Sequence, residues 1–142
     1  MDVGKGIDMF DVTTSADAAA LFRAAMPKEQ REERVFVLPL GGSGRVLARP
    51  ILVSVGHEDG TTAIDAGAVF REALKVGAEE IIVAHNHPSG NLTPSREDIA
   101  ATRELKDLAA RLGVEFLDHI IIGLPNLENV SDFVSLAEIE CV

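Results

Sequence analysis

A run of four apolar residues at positions 81–84, Ile-Ile-Val-Ala, limits the fold of this 142-residue chain more than any other feature. An uninterrupted apolar run of this length is typical of a β-strand that is covered on both faces. Because such a strand needs packing partners on both sides, it predicts a sheet with further elements against it. The run leads directly into His85-Asn86-His87-Pro88, so these polar residues lie at the end of a buried strand.

Helical and strand patterns alternate along the rest of the chain. Helices are predicted over residues 15–26, 65–76 and 94–112. Strands are predicted over residues 33–40, 45–55, 81–84 and 114–122, with a candidate short edge strand over 129–134. The first two strands form a predicted hairpin around the glycine-rich turn at residues 41–44. This alternation predicts an α/β chain of the α+β type, with a mixed central β-sheet flanked by helices.

The length of the chain is that of one structural domain, since domains of about 100 to 150 residues are the commonest size. Residues 1–32 are interpreted as an N-terminal segment with a short helix, and residues 33–142 as the main module. Hydrophobic residues make up 46% of the chain but aromatic residues only 4%, so the predicted core is aliphatic.

Charge and cysteine content exclude several classes of partner and site. The formal net charge of -10 repels the phosphate backbone, so nucleic acid is an unfavourable partner. The single cysteine, Cys141, allows no internal disulfide and no thiolate metal cage, which fits a reducing compartment. No apolar run reaches the roughly 18 residues of a membrane span, and the start lacks a secretory apolar region. We expect a cytoplasmic protein, and the sequence does not indicate its oligomeric state.

Two histidines and an aspartate form the strongest chemical motif of the chain. His85 and His87 are two residues apart, so on an extended strand both imidazoles point to the same side. Asp98 lies in the first turn of the helix predicted to follow. Two histidines and one carboxylate are a common catalytic zinc set that leaves a fourth position for water. The same set also suits mononuclear iron or manganese, so the residues alone leave the metal open.

The serine and aspartate of this region have two interpretations. Ser95-x-x-Asp98 fits a capping box that opens a helix. Alternatively, Ser95 shares a helix face with Asp98, which brings its hydroxyl near the predicted metal, where it can steady an oxyanion. The histidines likewise have a purely structural alternative, and residue type and spacing leave both interpretations open.

The histidine pair and the serine–aspartate pair together resemble the JAMM motif of MPN-domain (JAB/MPN) metallopeptidases. The matching string is His85-x-His87-Pro88, followed by Pro94-Ser95-x-x-Asp98. Residues 84–90 and the triplet at residues 117–119, Leu-Asp-His, are similar to the bacterial RadC branch of that family. The resemblance implies an MPN/JAB (cytidine-deaminase-like) architecture and a zinc ion (Zn2+) bound by His85, His87 and Asp98. It also implies that Ser95 stabilises the tetrahedral intermediate.

The resemblance further implies a glutamate that acts as general acid and base. Such a residue takes a proton from the attacking water and delivers one to the leaving amine. Glu33 is assigned this role because residues 33–40 look like the RadC segment that carries it, and Glu32 is the nearest alternative. Asp118 and His119 are interpreted first as structural, with a supporting role behind the metal ligands as the alternative.

These motifs predict a zinc metallopeptidase of JAMM type that hydrolyses an amide or isopeptide bond, with a peptide or a ubiquitin-like protein as substrate. The alternatives are a non-catalytic MPN interaction module or a RadC-type protein associated with DNA repair. RadC proteins usually carry an N-terminal helix-hairpin-helix region, whereas this chain has one short predicted helix before residue 33. Metal analysis of the purified protein separates these hypotheses from one another and from the iron or manganese site.

Overall fold

The computed structural model describes residues 11–28, 31–56, 64–123 and 132–139. The helices are α1 (Ser15–Ala25), α2 (Ala66–Lys75) and α3 (Arg96–Leu112), and a 3-10 turn spans Gly42–Gly44. The strands are β1 (Arg34–Leu40), β2 (Ile51–Val55), β3 (Glu80–Asn86), β4 (Glu115–Ile122) and β5 (Phe133–Ser135).

Side-chain caps determine where the helices begin. The Thr14 side chain accepts a hydrogen bond from the backbone N–H of Asp17 and opens α1, and Asp65 caps α2 in the same way. Gly113 ends α3 in the left-handed conformation, with φ at 73°, which favours glycine. In the part of the chain that the structure describes, no helix has the length and apolar content needed to cross a membrane.

The strands form one mixed sheet in the order β2-β1-β3-β4-β5. Strand β1 pairs antiparallel with both β2 and β3, and β5 pairs antiparallel with β4. Strands β3 and β4 are parallel, so the chain must cross over between them, and α3 makes that crossover. The predicted mixed sheet is confirmed, and the apolar run of residues 81–84 lies in its central strand.

Helices cover the sheet on both faces. Ile81 and Val83 of β3 pack in a cluster with residues of α2 and α3. Ile82 and Ala84 point to the opposite face and pack in a second cluster with α1. Because successive side chains of a strand alternate between faces, burial on both sides requires an uninterrupted apolar run. The same alternation directs His85 to the face of α2 and α3.

The predicted strand over residues 45–55 is wrong in its first half. Strand β2 covers only Ile51–Val55, and Arg45 and Val46 form isolated bridges. Pro50 precedes the strand and has no N–H to donate to a ladder, so regular pairing starts after it. The predicted hairpin is still formed, since β1 and β2 are antiparallel neighbours.

The turn between the hairpin strands also fixes the segment before α1. Gly44 has φ at 77°, and its carbonyl accepts a hydrogen bond of 2.8 Å from the N–H of Val12. A Cβ atom at this position would lie 2.3 Å from the carbonyl oxygen of Val12. The close approach of these two backbone segments therefore requires glycine.

The candidate edge strand at residues 129–134 is only partly covered by the described residues. Strand β5 spans Phe133–Ser135 and pairs with β4 at the end of the sheet. Residues 129–131 lie outside the described part of the chain. The prediction of an edge strand is confirmed for residues 133 and 134, and the strand continues to Ser135.

Candidate metal centre

Four polar side chains meet where β3 ends. His85 lies in β3 and His87 directly follows it, while Asp98 lies in the first turn of α3. In the antiparallel register of β1 and β3, Val35 is opposite His85. Glu33 directly precedes β1, so the register places it beside the end of β3.

The predicted metal ligands are in direct contact with one another. The Nε2 atoms of His85 and His87 are 3.0 Å apart. One carboxylate oxygen of Asp98 lies 3.2 Å from Nε2 of His85, and the other lies 3.2 Å from Nε2 of His87. His85 is 1% exposed, so a buried strand end holds it in place. Residues separated by 13 positions in the sequence thus present three donor groups to one point.

Glu33 joins the same cluster, whereas Glu32 does not. One carboxylate oxygen of Glu33 and one ring nitrogen of each histidine all lie within 4.8 Å of one another. The carboxylate of Glu32 instead forms an ion pair of 3.2 Å with Arg34, and 46% of its side chain is exposed. Of the two glutamates that the sequence left as alternatives, the structure places Glu33 at the histidines.

The hydrogen bond of His87 on its outer side determines its tautomer. Nδ1 of His87 lies 2.6 Å from the carbonyl oxygen of Asn91. Since a carbonyl oxygen can only accept, Nδ1 carries the proton and donates it. In a neutral ring, Nε2 then presents its lone pair toward His85 and Asp98.

The charges of the cluster are strongly coupled. Burial disfavours the Asp98 carboxylate, but hydrogen bonds with His85 and His87 outweigh burial and hold the pKa of Asp98 well below its usual range. The hydrogen bond with Asp98 raises the pKa of His87. Burial raises the pKa of Glu33, and the nearby histidines only partly oppose this shift. The ionised Asp98 carboxylate therefore favours a positive charge between itself and the two Nε2 atoms, which either a metal ion or a proton on a histidine nitrogen can supply.

The donor set fits a divalent metal ion such as zinc. Two donor atoms that each lie about 2.1 Å from a tetrahedral zinc ion are about 3.4 Å from each other. The observed separations are 3.0 Å between the two Nε2 atoms and 3.2 Å from each of them to a different oxygen of the Asp98 carboxylate. Small outward movements of side chains therefore suffice to admit a metal ion.

Ser95 is the N-cap of α3, which confirms the capping interpretation. Its hydroxyl oxygen accepts a hydrogen bond of 3.0 Å from the N–H of Asp98. In return, the Asp98 carboxylate accepts a bond of 2.9 Å from the N–H of Ser95. The same carboxylate contacts both histidines, so capping and metal binding are compatible on one side chain. The oxyanion role of Ser95 remains a prediction.

Asp118 and His119 differ in their contacts although they are adjacent. Asp118 accepts hydrogen bonds from the Ser135 hydroxyl, at 2.6 Å, and from the Ala137 N–H, at 3.1 Å. It therefore holds the segment of β5 to β4, as the structural interpretation predicts. His119 points to the opposite face, and its Nε2 lies 2.8 Å from Nδ1 of His85.

Asn86 has a role that the sequence did not reveal. Its side-chain oxygen accepts a hydrogen bond of 2.7 Å from the N–H of Arg34, and its amide donates one of 3.0 Å to the carbonyl of Glu32. These two peptide groups flank Glu33. The alternation of side chains along a strand directs Asn86 away from the two histidines, but it gives no information on what lies on that side.

Comparisons with known proteins match most of this chain. A family model described as RadC-like JAB domain matches residues 12–140. The chain is similar to a UPF0758 protein of Nostoc sp., at 38% identity over 126 residues, which are 87% of this chain and 51% of that protein. It is also similar to UPF0758 proteins of Carboxydothermus hydrogenoformans and Staphylococcus carnosus. The first is 43% identical over 94 residues, 66% of this chain and 41% of the relative. The second is 39% identical over 112 residues, which are 79% of this chain and 48% of the relative. The chain thus spans about half the length of the curated relatives it matches.

Proposed function

The chain belongs to the RadC-like JAB domain family, and from this membership and its histidine–carboxylate cluster we propose that it is a zinc-dependent hydrolase of an amide or isopeptide bond. The observation that carries the proposal is the convergence of His85, His87 and Asp98 within 3.2 Å, with Glu33 beside them. In this proposal the two histidines and Asp98 hold the metal. A bound zinc ion polarises a carbonyl and lowers the pKa of water to about 7.

Glu33 is proposed as the proton carrier. Its carboxylate takes a proton from the attacking water and later donates it to the leaving amine nitrogen. Burial supports this role because it raises the pKa of Glu33 toward the range in which a carboxyl group can both accept and release a proton. The alternative, Glu32, is partly exposed and engaged with Arg34.

Ser95 is proposed to stabilise the oxyanion that forms when water adds to the carbonyl. The serine oxygen already accepts a bond from the N–H of Asp98. A hydroxyl has one proton besides its lone pairs, so Ser95 can still donate that proton to a negatively charged oxygen. The capping geometry therefore leaves the proposed catalytic use open and fixes where the hydroxyl lies.

The proposed substrate is a peptide or a ubiquitin-like protein. The net charge of -10 makes a phosphate backbone an unfavourable ligand, which favours a protein substrate over nucleic acid. Release of a C-terminal tail from a small modifier-like protein is the most direct screen for such activity.

The test combines metal analysis with a matched pair of glutamate variants. Protein purified without added metal is expected to contain one zinc ion per chain and to cleave an amide substrate. Glu33→Gln should retain zinc and lose turnover, whereas Glu32→Gln, one residue away, should keep both. Stoichiometric iron would support a mononuclear iron site instead, and a chain that binds no metal would overturn the proposal in favour of an interaction module. Equal turnover of both variants would refute the role of Glu33.

A further inference from the structure

A chain of buried polar groups runs behind His85. Nδ1 of His85 lies 2.8 Å from Nε2 of His119, and Nδ1 of His119 lies 2.6 Å from the hydroxyl oxygen of Thr102. That hydroxyl donates a hydrogen bond of 2.8 Å to the backbone carbonyl of Asp98. His119 and Thr102 are 0% exposed and His85 is 1% exposed, so solvent does not replace any member. This row of hydrogen-bonded groups starts at the side chain of His85 and ends at the backbone of Asp98, both of which are proposed metal ligands.

The hydrogen bond from the Thr102 hydroxyl to the Asp98 carbonyl determines where the protons of these buried groups lie. The carbonyl oxygen of Asp98 can only accept, so the single hydroxyl proton of Thr102 is used there. If that proton instead pointed at His119, two oxygen lone pairs would face each other at 2.8 Å. The hydroxyl oxygen of Thr102 must therefore accept, which requires a proton on Nδ1 of His119.

The proton order then passes through His119 to His85. His119 is 0% exposed and its hydrogen-bond partners, His85 and the Thr102 hydroxyl, are not carboxylates, so burial favours the neutral imidazole. A neutral ring that carries its proton on Nδ1 has a lone pair on Nε2. That lone pair accepts the hydrogen bond from Nδ1 of His85, so the other nitrogen of His85, Nε2, is the one available to a metal.

We propose that His119 and Thr102 are positioning residues that fix the tautomer of His85, so that its Nε2 lone pair faces the proposed metal site. Histidines that bind metals commonly donate their second N–H to a carboxylate, a carbonyl or water. Here the acceptor is a neutral, buried histidine, which can accept only because Thr102 determines its tautomer. The inference rests on the proposed metal site, but it does not require that the protein be a hydrolase.

The hydrogen-bonded groups of His85, His119 and Thr102, here called the relay, also connect three elements of the fold. His85 lies in β3, His119 lies in β4 and Thr102 lies in α3, one turn after Asp98. Because the relay ends on the carbonyl of Asp98, it links the strand end that carries one ligand to the helix turn that carries another. Loss of the hydroxyl is therefore expected to weaken metal binding even though Thr102 itself contacts no metal.

A matched pair of threonine variants tests the relay. Thr102→Val keeps the shape of the side chain but removes the hydroxyl, whereas Thr102→Ser keeps the hydroxyl. Zinc affinity is measured by competition with a chromophoric chelator, which needs no substrate. Thr102→Val should bind zinc roughly 10–100-fold more weakly, the usual effect of removing such outer partners, and Thr102→Ser should stay within about threefold of the parent.

The protonation pattern of His119 is a second readout that needs no variant. Long-range 1H–15N NMR spectra of the zinc-free protein should show a proton on Nδ1 of His119 and none on Nε2, and Thr102→Val should lose this single pattern. A purely structural hydroxyl would leave the pattern unchanged. A proton on Nε2 of His119, or parental zinc affinity in Thr102→Val, would overturn the relay. Zinc binding without hydrolysis would refute the proposed function and leave the relay intact, because neither readout uses turnover.

Discussion

Replacement of Asn86 by alanine should separate the placement of Glu33 from the binding of metal. The Asn86 amide holds the N–H of Arg34 at 2.7 Å and the carbonyl of Glu32 at 3.0 Å, and it is 1% exposed. In Asn86→Ala both peptide groups lose their partner. A buried peptide group without a hydrogen-bond partner costs about 1–3 kcal/mol, so the loss of both partners should lower the free energy of unfolding by about 2–6 kcal/mol. Because the chain at Glu32 is partly exposed and can admit water, we expect about 2–4 kcal/mol.

The effect on activity should exceed the effect on metal binding. The bonds of Asn86 fix the backbone on both sides of Glu33, and a displacement of about 1 Å of a catalytic group can reduce turnover about a hundredfold. His85 and His87 have hydrogen-bond partners of their own, to His119 and to Asn91, so zinc affinity should change only a few fold. Urea unfolding, chelator competition and kcat measure these three quantities.

A control variant separates positioning from a loss of stability. Leu38→Ala in β1 removes a fully buried side chain from the cluster with α1 and should cost about 2–5 kcal/mol. Its folded fraction should keep parental kcat, whereas Asn86→Ala should not. An Asn86→Ala protein that unfolds at the parental urea concentration would show that its hydrogen bonds stabilise nothing. Parental kcat in that variant would show that they do not position Glu33.

Three further predictions follow from particular contacts. Zinc at one hundred times its Kd should raise the free energy of unfolding by about 2.7 kcal/mol, and removal of the zinc by a chelator should reverse this gain. If added zinc leaves the melting temperature unchanged, the proposed metal site is wrong. The Asp17 carboxylate accepts hydrogen bonds from Thr13 and Thr14, and these bonds lower the pKa of Asp17 below 3.8. The stability that the ionised Asp17 contributes is therefore fully present above pH 3.8 and is lost as the pH falls through the lowered pKa. Asp17→Asn should therefore show a weaker loss of stability than the parent between pH 5 and pH 3, and parallel curves from urea titrations would refute this. Gly44→Ala should destabilise the chain by more than about 1 kcal/mol, because its Cβ would meet the Val12 carbonyl, and an unchanged melting temperature would contradict that contact.

Local sequence patterns predicted the central strand and the position of the histidine pair because both depend on short-range periodicity. The apolar run at residues 81–84 required cover on two faces, and the structure places it in the middle strand of the sheet. The start of β2 was not predictable in this way. Residues 45–50 have strand-like composition, but the turn before them and Pro50 delay regular pairing until Ile51.

The groups behind His85 could not be inferred from spacing along the chain. His119 reaches His85 only because β4 pairs parallel with β3 in a register that places His119 opposite Val83. Thr102 reaches His119 only because α3 packs over that same pair of strands. Asp98 and Thr102 are four residues apart, a spacing that puts them on one helix face, but this signal acquires meaning only once the strand beneath the helix is known.

Asp98 shows why a structural and a chemical interpretation of one motif need not compete. Its carboxylate accepts the N–H of Ser95 and so closes the capping box, and the same two oxygens lie 3.2 Å from the two histidines. The positive end of the α3 dipole and the cap both favour the ionised carboxylate. An ionised carboxylate is also the form that binds a metal ion. The helix start therefore supplies the proposed ligand in its charged form and at a fixed position, and the serine that caps the helix lies beside the proposed site as a consequence of the same geometry.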